Sequence, residues 1–71
     1  MSIEEFMETD TFKLAEKIFV SINGGPIMPF RKKHFAKLKD NEYHNFIIIG
    51  SGHFPNGNIE IDLMEYEKED N

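Results

Sequence analysis

Residues 17–30, KIFVSINGGPIMPF, decide the fold, because they can be read in two ways. In the first, Ile18 and Ile22 continue a helical stripe that begins at Ile3. Asn23, Gly24 and Gly25 then supply left-handed cap residues, and Pro26 cannot continue the helix. In the second, the same residues form two strands that turn at Asn23-Gly24, a dipeptide suited to a hairpin with positive φ at both central positions. The first reading yields two helices and one further hairpin. The second yields four strands with one or two helices. The first is the simpler and sets the expectation: a single small α+β domain spanning residues 1–71, with a sheet that oligomerisation could complete.

Upstream, Ser2 followed by Glu5 matches a capping box, in which each side chain satisfies an orphaned amide at a helix start. A helix is expected from about Ile3, with Ile3, Phe6, Met7, Leu14, Ile18 and Ile22 near one face and Ala15 and Phe19 widening it. Its weak point is TDT at 9–11, where Thr9 or Asp10 could cap a second helix. Downstream, PIMPF should be extended, because each proline disfavours helix in the residue before it. Pro29 can then open a short helix over residues 30–39. Phe30, His34, Phe35 and Leu38 would face the core, with Arg31, Lys32, Lys33, Lys37 and Lys39 around the remainder.

FIIIGS at 46–51 and NIEIDLMEYE at 58–67 read as strands, because Ile59, Ile61 and Leu63 alternate with Glu60 and Asp62. If Asn56-Gly57 is a two-residue turn, Gly52 faces Ile61 and Gly50 faces Leu63. The same pairing sets Ile47 and Ile49 against Tyr66 and Met64 on the other face. Pro55 argues for a looser loop. EKEDN at 67–71 reads as a frayed acidic tail.

Composition narrows the functional classes. The chain has 71 residues, 39% of them apolar, with seven Phe and no Cys, so neither disulfides nor thiolate zinc sites can staple it. The acidic N-terminus is unlike a secretory signal, and no apolar run approaches the ~18 residues of a membrane span. A cytoplasmic protein is expected, with no membrane partner. Charge is unevenly placed: residues 24–39 carry five bases and no acid, while residues 40–71 carry eight acids and one base. The net charge is −5.

Several constellations could carry chemistry. His34, His44 and His53 are ten and nine residues apart, a spacing that matches no compact metal motif. GSGHFPNG leads into a strand, whereas a phosphate-cradling loop leads into a helix with a following lysine. Ser51 and His53 lack the acid and oxyanion donors of a hydrolytic triad. No metal, cofactor or catalytic residue is therefore assigned, and the chain is not expected to be an enzyme.

Two binding surfaces remain. Glu60, Asp62, Glu65, Glu67, Glu69 and Asp70 place six carboxylates within eleven residues, interleaved with Met64 and Tyr66, which could anchor a contact. Such a surface suits a protein partner with a basic face, for example one that normally holds phosphates. The expected partner-binding residues are Glu60, Asp62, Met64, Glu65, Tyr66 and Glu67. The alternative is a nucleic-acid interface built from Arg31, Lys32, Lys33, Lys37 and Lys39, because a basic helix followed by a hairpin is the element order in the second half of a winged helix. The acidic whole-protein charge opposes that reading, and the hairpin loop carries no Lys or Arg. The profile is similar in composition to that of small phage or mobile-element proteins that bind and inhibit a host protein. A noncatalytic inhibitor or adaptor, possible as a homodimer, is the expected function.

Overall fold

The computed structural model describes residues 1–68. Its elements in chain order are helices α1 (Ile3–Met7) and α2 (Asp10–Leu14), strands β1 (Ile18–Ile22) and β2 (Met28–Phe30), helix α3 (Lys32–Lys37) with a 3-10 turn at Leu38–Asp40, and strands β3 (His44–His53) and β4 (Ile59–Glu67). One mixed four-stranded sheet runs in the order β2-β1-β4-β3, making this an α+β domain.

The N-terminal stripe divides. Ser2 and Glu5 form the capping box, with the Glu5 amide donating to Ser2 Oγ at 3.1 Å. Thr9 then stops α1 and starts α2: its hydroxyl donates to the Phe6 carbonyl at 2.6 Å and accepts from the Phe12 amide at 3.3 Å. Each helix is five residues long, too short to be stable alone, so capping and packing hold both. Thr9→Ala removes both bonds and should cost about 1 kcal/mol, read as a lower urea midpoint with an unchanged slope.

Residues 18–22 form a strand, which overturns the expected continuation of the helix to Ile22. Ile18 and Ile22 are spaced for a helical face, but with Val20 they are equally spaced for one side of a strand. β-branched and aromatic side chains favour the latter. The turn settles the choice. Asn23 and Gly24 have φ of 53° and 73°, and the Gly25 amide donates to the Ile22 carbonyl at 2.9 Å, the pattern of a type I′ turn. A helix cap needs one left-handed residue, whereas this turn uses two. The Asn23 side chain also accepts the Glu65 amide at 2.8 Å, which pins the turn to β4.

β1 and β4 are parallel, with Ile18 beside Ile59, Val20 beside Ile61 and Ile22 beside Leu63. This apolar ladder faces the three helices. Phe6, Phe12 and Phe35 meet over it, with Phe12 and Phe35 ring centres 5.4 Å apart and Phe6 edge-on to both. Phe35 is fully buried. His34, expected in the core, is exposed, because a helix of six residues can turn little more than one face inward and Phe35 occupies it. Phe30 belongs to β2 rather than to the basic helix.

The β3–β4 pairing also differs from expectation. The Phe54 amide donates to the Asn58 carbonyl at 2.9 Å, and Gly57 has φ 86°, so Pro55, Asn56 and Gly57 form a three-residue loop. The additional loop residue shifts the register by one, placing Gly52 opposite Glu60 and Gly50 opposite Asp62. A bulge at Ile49 shifts it once more, so Ile47 lies opposite Met64 and Asn45 opposite Tyr66. Glu67, assigned to the tail, ends β4, and the Lys68 amide donates to the Tyr43 carbonyl at 2.9 Å. The remainder of the expected tail lies outside the described residues.

Candidate functional site

Alternation along β4 divides the six expected partner-binding residues between two faces. Glu60, Asp62, Met64 and Tyr66 lie opposite the side that carries Ile59, Ile61 and Leu63, while Glu65 and Glu67 share the helix side. Glu65 there lies 3.3 Å from His44 Nδ1. The acidic strand is therefore not one surface.

No helix among the described residues packs on the face bearing Glu60 and Asp62. Phe19 and Ser21 join it from β1, and Ile47, Gly50 and Gly52 from β3. Large apolar side chains on it remain exposed, Ile47 at 40% and Tyr66 at 49%, and the bulge residue Ile49 next to Gly50 is 59% exposed. At the loop end, Phe19 and Phe54 meet edge to face with ring centres 5.9 Å apart. With Ile27, Pro55, Asn56 and Asn58 they line a shallow cleft of about 290 Å³. Glu60 and Asp62 lie between this aromatic end and the aliphatic end at Ile47 and Met64. Both carboxylates are partly buried, and neither takes part in the Glu8–Lys13 salt bridge or the Glu65–His44 contact found among the described residues.

Reading the chain as a sequence assigned Met64 and Tyr66 to this face but missed Phe19, Ile27, Phe54 and the two glycines as parts of it. The strand reading of 17–22 contains the missing signal: if Ile18, Val20 and Ile22 face inward, Phe19 must face outward.

The basic island has a different arrangement. Lys32 is engaged by the fold, its ammonium 5.1 Å from the centre of the Phe12 ring and 3.2 Å from the Lys13 carbonyl to which it donates. Arg31, Lys33, Lys37 and Lys39 are exposed, and none of the five forms an ion pair with a carboxylate among the described residues. The helix they ride on is short. The hairpin beside it lies edge to edge with β1 through β4 instead of projecting as a wing.

Among the described residues, no three His, Asp or Glu side chains cluster in a way that could hold a metal ion, and no helix is long and apolar enough to cross a membrane. Comparison of the chain with protein-family models, with curated proteins and with solved structures finds no match in any of the three. The site is therefore read from its own chemistry.

Proposed function

We propose that this chain is a noncatalytic protein-binding module, an inhibitor or adaptor of the kind small phage and mobile-element proteins supply. It docks the open face of its sheet on the basic surface of a nucleic-acid-handling protein. The observation that carries this reading is that one face of the sheet exposes large apolar side chains around two carboxylates that form no salt bridge among the described residues. Apolar contacts with a charged centre are what a partner surface of opposite sign would complete. Met64 and Tyr66 anchor the contact, and Glu60 and Asp62 steer the encounter.

A second reading has one observation in its favour: the exposed cations of α3 have no carboxylate partner among the described residues. It makes the chain a small nucleic-acid binder. Fluorescence anisotropy of labelled duplex and single-stranded DNA and RNA, at low and at physiological salt, separates the two. The leading reading predicts no binding at physiological salt, together with capture of a protein partner that survives Lys33→Glu/Lys37→Glu. Tight, salt-sensitive nucleic-acid binding lost in that variant would overturn it.

A further inference from the structure

The two glycines of β3 give the open face a specific shape. Gly50 and Gly52 lie directly opposite Asp62 and Glu60, the only carboxylates that β4 places on that face. A side chain at either position would stand beside a carboxylate. A Cβ built on Gly50 would sit 3.4 Å from Asp62 Oδ2, whereas one built on Gly52 meets nothing within 4 Å. Neither glycine has a positive φ, so backbone geometry does not require glycine at either position. The result is a short trough on the sheet, open over Gly52 beside Glu60 and bounded at Gly50 by the Asp62 carboxylate that leans over it. Phe19 and Phe54 close one end, and Ile47 and Met64 close the other.

We infer that this trough receives a single arginine side chain from an otherwise apolar segment of the partner. The inference rests on the open face being the docking surface. A guanidinium matches the site in three ways. Its planar fork can bond carboxylates two residues apart on one strand face, its plane can stack on the exposed aromatic end, and it is less strongly hydrated than an ammonium, so it enters a partly buried site at lower cost. The apolar neighbours of the arginine would then rest on Ile47 and Met64. Two like charges on neighbouring positions of one face repel each other, and a cation between them removes that repulsion.

The test uses a fluorescein-labelled, capped peptide with one arginine between two leucines and serine–glycine ends. The same peptide with citrulline, a neutral isostere, is the comparison. The arginine peptide should bind about tenfold more tightly, as expected for bonds to charged groups. That preference should vanish in Glu60→Gln/Asp62→Asn, which keeps the shape, and in Gly52→Val, which keeps the charges and fills the trough. Thermal midpoints no lower than that of the parent chain would show that both variants fold. Equal affinity for the two peptides, unchanged binding by Gly52→Val, or no binding of the arginine peptide at millimolar concentration would overturn the inference. Equal affinity that is lost in Ile47→Asp would remove the trough alone and leave the open face as a docking surface. Partner capture unaffected by Glu60→Lys/Asp62→Lys would remove both.

Discussion

Phe35→Ala should unfold most of the chain at room temperature. Phe35 is fully buried and touches the rings of both Phe6 and Phe12, so its loss leaves a cavity where α1, α2 and α3 meet. Truncations of this kind cost about 3–5 kcal/mol. A domain of 71 residues has little to lose, since a single core in a chain this short rarely supplies more than about 3–5 kcal/mol. The effect reaches beyond one contact, because each helix is too short to persist without that junction. The chain contains no Trp, so the measurement is urea unfolding followed by far-ultraviolet circular dichroism. Phe35→Leu keeps most of the volume and should retain the fold, with a loss of about 1–2 kcal/mol. A Phe35→Ala chain as stable as the parent would mean that the helices do not pack on the sheet as described.

Glu60→Lys/Asp62→Lys should weaken partner binding by about a hundredfold, within the ~2–5 kcal/mol that loss of a hydrogen-bonded interfacial charge costs. The two residues share the open face, and reversing both replaces attraction to a basic surface with repulsion. The same change at Glu67 is the internal control. Glu67 is exposed on the helix side of the sheet, so Glu67→Lys should change affinity less than threefold, with any effect confined to long-range steering that salt screens. Isothermal titration of the captured partner with the three chains reads both effects. Equal losses from the two variants would mean that net charge, and not the open face, governs binding.

Some of this was legible in the residues and some was not, for identifiable physical reasons. The capping box at Ser2 and Glu5 and the second cap at Thr9 are local hydrogen-bond chemistry, and local chemistry can be read from neighbours in the chain. Ile18 and Ile22 could not be assigned so simply, because a spacing of four fits both a helix and a strand. What favours the strand is a pairing with Ile59–Leu63, some forty residues away in the chain. The hairpin register turned on one residue: Pro55 makes the loop three residues long, and one step of register exchanges the faces of every side chain. That step moved the glycines from opposite Ile61 and Leu63 to opposite Glu60 and Asp62. The acidic run divides for a simpler reason: alternation along β4 sends Glu60 and Asp62 to one face and Glu65 and Glu67 to the other. The open face could not be read from β4 alone, because Phe19, Ile27 and Phe54 come from two other parts of the chain.

The most direct test of the open face as the working surface is isoleucine methyl mapping by NMR, with the captured partner added to saturation. Ile27, Ile47 and Ile49 are exposed, whereas Ile3 of α1 and Ile18, Ile59 and Ile61 of the sheet are buried in the core between helices and sheet, so one labelled residue type reports on both sides of the sheet. The account predicts large shifts or broadening at Ile47 and Ile49, smaller changes at Ile27, and little change at the buried four. Saturation with the partner while Ile27, Ile47 and Ile49 keep their free positions would contradict it.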